Sequence, residues 1–180
     1  MSLIFNGIIL RVTPFNDRGV IILLFTEEFG LVSAVVPNSK KYPTHWLEPY
    51  VIVKGKFKER HGELYQSSEI EGVRWFLGLR EKPSALRTLR SCGKQLVKRI
   101  EPEFQAPLLY QLFLKIVAEL DTGKDAETME GLFLVKLALH EGLLGKTEEP
   151  WVEKVAMART FAAVPPIPTN LLLALNRLFC

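Results

Sequence analysis

Apolar and polar positions alternate through the first third of the chain at the period of two that a strand imposes. Between Gly7 and Val36, Ile8, Leu10 and Val12 interleave with Ile9, Arg11 and Thr13, and Pro14 to Gly19 break the run with turn formers. Val20 to Phe25 is uninterrupted apolar and rich in β-branched residues, which predicts a strand buried on both faces. Glu27, Glu28 and Gly30 turn it into Leu31 to Val36. The loop PNSKKYPTHW, Pro37 to Trp46, carries two prolines and a positive tip at Lys40 and Lys41, and it is too short and proline-broken for much helix. The strand pattern resumes in Tyr50 to Arg60, turns at His61 and Gly62, and returns from Glu63 to Ile70.

The period then changes to that of a helix. Pro83 and Ser84 make a start at which Ser84 can cap free N–H groups, and Leu86, Leu89, Leu96, Val97 and Ile100 fall within about 100° of arc, a core face. Leu108 to Leu120 is apolar nearly all round, with Gln111, Lys115 and Glu119 as a narrow polar line, the pattern of a central bundle helix. Met129 to Leu144, ended by Gly142 and Gly145, predicts another helix. Trp151 to Phe161 predicts one more, and Leu171 to Leu178 a last one beyond the extended VPPIPTN. The fold class expected is α+β, β then α. An OB-fold-like, partly open five-stranded barrel occupies residues 1–79, and an all-α helical bundle residues 80–180.

Charge sharpens this division. Residues 1–79 carry a net +1, residues 80–100 a net +6 and residues 101–180 a net −4, within a total of +3. A dense positive segment beside a near-neutral barrel is a directional field suited to an anionic partner. Within it Arg87, Arg90, Lys94 and Lys98 share an arc of about 80°, adjacent to the core face and roughly 16 Å long. The same stripe also fits a solvated face, but few acidic residues interleave to neutralise it. On the barrel, Lys54, Lys56, Lys58 and Arg60 occupy alternate positions, opposite in direction to Val51, Val53 and Phe57. Four like charges in a row repel, and a polyanion laid across them relieves the repulsion; the same lysines also suit the protection of an edge strand. Tyr65 is the stacking candidate among the aromatics, while His45 and Trp46 read as packing residues. The candidate residues for binding a polyanion such as DNA are Arg11, Lys40, Lys41, Lys54, Lys56, Lys58, Arg60, Tyr65, Arg87, Arg90, Lys94 and Lys98.

The segments GIILRVTPF, LLFTEEFGLVSAVV, SKK, LEPYVIVKGKF and RHGELYQSSEIEGV, in this order and spacing, resemble RecO, the bacterial recombination mediator family. The likeness continues more weakly through LRTLRSCGKQLVKRI and FLVKLALHEGLLG, and spans roughly residues 5 to 145. It implies a non-enzymatic DNA repair and recombination protein that binds single- and double-stranded DNA and anneals complementary strands. It also implies partnership with RecR, contact with the acidic C-terminal tail of single-strand DNA-binding protein (SSB), and indirect help in loading RecA. The bundle beside Arg87 and Arg90 is where that tail is expected to dock. Two departures stand out. Pro37, Asn38 and Ser39 occupy positions where the family's basic loop usually carries Gly and Arg, and the four-cysteine zinc cluster and longer C-terminal region of many relatives have no counterpart in these residues. The missing zinc cluster, the altered basic loop and the net −4 of residues 101–180 favour the alternative, a protein-interaction adaptor on the same fold with weak or lost DNA affinity; an RNA-binding OB-fold is a third reading.

No catalytic constellation accompanies these features. His45, His61 and His140 lie far apart, no HExxH, nucleophile elbow or Gly-rich phosphate loop occurs, and Glu148 and Glu149 read as a solvated linker. Cys92 and Cys180 are isolated thiols, so no metal site and no cofactor is expected. No apolar run approaches the ~18 residues of a membrane span, and a cytoplasmic location is expected.

Overall fold

The structure is a computed structural model and describes residues 2–15, 19–38, 44–59, 64–102, 104–143, 150–157, 164 and 166–179. Five strands come first: β1 (Ser2–Pro14), β2 (Gly19–Thr26), β3 (Gly30–Pro37), β4 (Ile52–Glu59) and β5 (Leu64–Arg74). A short 3-10 turn, Leu77–Glu81, leads into α1 (Pro83–Arg99), α2 (Pro107–Thr122), α3 (Ala126–His140), α4 (Pro150–Met157) and α5 (Thr169–Leu178). The chain divides into two compact units, residues 1–76 with 96–114 and residues 77–95 with 115–180. A single cut near residue 80 therefore does not describe it, because the end of α1 and the start of α2 group with the barrel.

In the first unit the sheet closes on itself in the order β1-β2-β3-β5-β4, whereas the sequence led us to expect a partly open barrel. Closure depends on one long strand and one parallel pair. The first half of β1, Ser2 to Ile8, pairs with β4, and the second half, from Gly7 to Pro14, pairs with β2. The strand bends where the two halves meet. Gly7 sits there because a Cβ would come within 2.9 Å of Thr26 Cγ2 and 3.1 Å of the Phe25 carbonyl, and a register shift follows between Ile9 and Arg11. Past the bend, the Ile9 N–H donates to Val51 O and the Tyr50 N–H to Ile9 O, so the displaced backbone stays paired. The parallel pairing of β3 with β5, from Ser33 opposite Leu64 to Val35 opposite Gln66, completes the circuit and leaves no edge strand among the five.

Alternate side chains fill the interior. Phe5, Ile9, Ile22, Leu24, Val32, Val53, Phe57 and Ile70 are all buried, and Phe5 stacks on Phe57 at 4.3 Å between centroids. The expected two-sided burial of β2 holds only at its end: Ile21 and Leu23 are half-buried, while Phe25, on the outer face, meets the edges of Tyr110 and Phe113 of α2. α2 thus covers the outer side of the sheet at Phe25, and Pro102, ahead of it, bridges to Leu31. At the β2–β3 turn, Thr26 Oγ1 donates to the Gly30 carbonyl and accepts from the Phe29 N–H, both at 3.0 Å. Gln111 donates to Glu27 at 2.9 Å from α2.

In the second unit α3 is the most enclosed helix, with Thr128, Met129, Leu132, Phe133, Leu134, Val135, Leu137 and Ala138 all buried. The near-complete apolar ring of α2, read from sequence as a central bundle helix, has another cause: its first turns belong to the barrel unit and its last turns to the bundle. Asp125 caps α3, its Oδ2 accepting from the Thr128 N–H at 2.8 Å and from the Thr128 hydroxyl at 2.6 Å. Lys82 donates to the Asp121 carbonyl at 2.7 Å, satisfying an acceptor in the last turn of α2.

Candidate nucleic-acid interface

The positive segment folds as one continuous helix. α1 contains no acidic residue over its 17 positions and ends in Lys98 and Arg99, where cations interact favourably with the negative end of the helix dipole. Ala85, Thr88, Leu89, Cys92 and Leu96 are buried on one side, and Arg87, Arg90, Lys94 and Lys98 are all exposed on the other. Two apolar residues behave differently from expectation. Val97, assigned to the core face, is 43% exposed, and Leu86 is half-buried. Both lie at the margin between the two arcs, so Val97 adds an apolar spot beside Arg90 and Lys94.

Lys54, Lys56 and Lys58 are exposed on the outer face of β4, with Val53 and Phe57 fully buried beneath. Their neighbours change the electrostatics. Across the β4–β5 ladder Lys54 stands opposite Glu71, Lys56 opposite Glu69 and Lys58 opposite Gln66. On the β1 side the three lysines face Asn6, Ile4 and Ser2. Directly opposed side chains in an antiparallel pair sit ~5 Å apart at Cβ, so two of the lysines have a carboxylate within reach of their charge. The row is not the uncompensated cationic line expected from β4 alone. Nor do these lysines protect an edge, since β4 is paired on both sides.

A bulge creates this facing. Phe57 pairs with Ser67 but Lys56 with Glu69, so Ser68 is the extra residue, and its hydroxyl donates to the Lys56 carbonyl at 3.2 Å. Ser67, buried beside it, donates to the Glu69 carbonyl at 3.0 Å. The parity of β5 before the bulge carries Tyr65 inward. That residue is 6% exposed, edge-on to Phe5 at 6.2 Å, and opposite Ala34 on β3. Its ring belongs to the barrel core and offers no face to a base, which corrects its assignment as a stacking residue. Arg11 is exposed on β1 opposite Leu23. Lys40, Lys41 and Arg60 lie outside the described residues.

His45, expected to pack, is exposed, whereas Trp46 is half-buried and its ring lies 6.1 Å from that of Trp75. The sequence reading passed over Arg74 and Trp75. Both are exposed at the end of β5, and the arginine's guanidinium lies 4.6 Å over the Phe76 ring. The signal was present in VRWF, a tryptophan beside an arginine just past a strand.

Burial, and then the charge of Glu130, push the Cys92 thiol well above its ordinary range, which keeps it protonated and unreactive. Among the described residues no three His, Cys, Asp or Glu side chains gather as a metal site, and no helix is long and apolar enough to cross a membrane.

Residues 1–76 match the family model for the recombination protein O N-terminal domain. No curated protein matches the chain. Among solved structures, an aspartyl-tRNA synthetase from Entamoeba histolytica aligns over 83% of this chain at 12% identity, with a TM-score of 0.33. The chain spans 36% of that structure's length. A closed five-stranded barrel over the matched residues, followed by helices, agrees with the OB-fold of the family's N-terminal domain. Residues 1–76 are thus similar to the N-terminal domain of the RecO family, whose role is in DNA recombination and repair.

Proposed function

We propose that the chain is a non-enzymatic DNA-binding recombination mediator that holds single- and double-stranded DNA by its phosphates and promotes annealing. One observation carries this reading: the exposed arc of Arg87, Arg90, Lys94 and Lys98 on a helix without a single acidic residue. Annealing requires two polyanions to be brought together without sequence readout, and a cationic helix face lowers the repulsion between them by releasing counterions. Lys54, Lys56, Lys58 and Arg11 are a second, weaker contribution on the barrel, because Glu69 and Glu71 oppose part of it. RecR, the acidic C-terminal tail of SSB, and RecA as an indirect beneficiary are the partners proposed from the family. Arg87 and Arg90 are the cations proposed to receive the acidic tail.

The partial compensation of the β4 lysines favours a second reading, an interaction adaptor that has kept the fold with little DNA affinity. Titration of a fluorescent oligonucleotide at several salt concentrations separates the two. Four to six phosphate contacts give log K against log salt a slope of roughly −3 to −4 for single strands, independent of sequence. A flat response assigns the chain to the adaptor class.

A further inference from the structure

We infer that Trp75 is a stacking platform for one base of a single strand, with Arg74 beside it for the backbone. This deepens the DNA-binding reading above and rests on it. The observations concern residues of the barrel unit alone. Trp75 is 40% exposed at the end of β5, a large share for the largest apolar side chain in a domain whose other aromatic rings mostly line a core. The ring is nonetheless held. It lies against the backbone at Gly72, where a Cβ would collide with the six-membered ring of the indole, so that position must be glycine for the ring to sit flat. Trp46 braces it from the side, with centroids 6.1 Å apart and planes inclined at 59°. An indole fixed by a glycine and a second tryptophan while its outward portion stays open loses little entropy on binding a flat ligand.

The neighbouring charge selects the ligand. Arg74 is exposed next in the chain, with its guanidinium 4.6 Å over the Phe76 ring. A braced aromatic face with an exposed arginine next to it in the chain suits a base attached to a phosphate, and stacking is tolerant of base identity because every base presents a π-face. It also supplies the aromatic element of the interface that Tyr65, enclosed in the barrel, does not.

The test compares two oligonucleotides of equal length and charge, oligo-dT and an abasic strand with the same phosphates, by fluorescence anisotropy on the full chain. The wild-type protein should bind oligo-dT roughly 5- to 150-fold more tightly than the abasic strand, the range expected for loss of one stacked base. Trp75→Leu should lower oligo-dT binding to the abasic level while leaving the salt slope unchanged. Because that variant removes a ring that also packs, Trp75→Phe provides the second arm: it keeps an aromatic face and most of the affinity, but the quenching of tryptophan emission by oligo-dT should fall away. Equal wild-type affinity for the two strands, or full quenching retained in Trp75→Phe, overturns the platform while phosphate binding survives. Absence of binding to either strand overturns the DNA-binding reading itself, and the platform with it.

Discussion

Lys56 on β4 stands directly across the ladder from Glu69 on β5, one step from the matching pair of Lys54 and Glu71. The pairing exists because the extra residue at Ser68 shifts the register of β5 by one, turning Glu69 to the same outer face as the lysine. The consequence is functional as well as structural: a strand that looks strongly cationic in isolation is partly neutral in the sheet. α1 has no such neighbour within its own length.

If Glu69 and Glu71 restrain the β4 lysines, removing the two charges frees them for phosphate. The double variant Glu69→Gln, Glu71→Gln should bind single-stranded DNA more tightly, with the salt slope steeper by roughly 0.7 for each added phosphate contact. Loss of two cross-strand pairs should lower stability by about 0.2–1 kcal/mol each. Oligonucleotide titration and chemical denaturation of the same preparation measure both effects.

Gly30 links the β2–β3 turn to the segment ahead of α2. Its φ of +61° disfavours any side chain, and a Cβ there would collide with the Phe104 carbonyl. Gly30→Ala should therefore destabilise the protein by at least about 1–3 kcal/mol, the cost of one strained backbone residue, visible as a lowered denaturation midpoint. Gly142 also has a positive φ, +68°, but among the described residues nothing lies within 4 Å of a Cβ built there, so Gly142→Ala costs the backbone strain and should be the milder change.

Tyr110 sets an alkaline limit on stability. Burial, and then the charges of Glu27 and Glu28, push its phenol up to about 12 from an ordinary 10. Between those values the unfolded chain has released the proton while the folded chain still holds it. The contribution is thus fully present below pH 10 and lost as pH rises from 10 toward 12. Wild type should lose more stability than Tyr110→Phe between pH 9 and about 11.5, and parallel denaturation curves for the two proteins would show that Tyr110 is not the group responsible.

Much of the fold was legible from side-chain periodicity, and the exceptions share one cause. Val53 and Phe57 inward with Lys54, Lys56 and Lys58 outward follow from strict alternation along β4, and the burial of Leu89, Leu96 and Ile100 follows from the helical angle of α1. What alternation cannot supply is register between strands. ELYQSSEIEG contains both glutamates, yet which lysine each faces depends on the bulge at Ser68, and the same bulge separates the inward Tyr65 and Ser67 from the inward Ile70 by an odd count. The role of α2 was hidden for a similar reason: a helix that serves two compact units in succession is apolar on more faces than one unit requires. Trp75 escaped notice because its exposure depends on how the end of β5 meets Trp46, a contact between residues distant in sequence.

The most direct test of the central claim is the salt dependence of single-stranded DNA binding by the triple variant Arg87→Glu, Arg90→Glu, Lys94→Glu, set against Lys54→Glu, Lys56→Glu, Lys58→Glu. All six side chains are exposed, so the α1 variant should keep the wild-type stability to within about 1 kcal/mol, while the β4 variant, which sets Glu opposite Glu69 and Glu71, should lose about 1–2 kcal/mol and still fold. If the α1 arc carries the phosphate contacts, its variant should lose roughly 2 from the magnitude of the slope, about 0.7 for each of three contacts, and the β4 variant should lose less. A helix variant that binds with the wild-type slope and affinity would contradict the account.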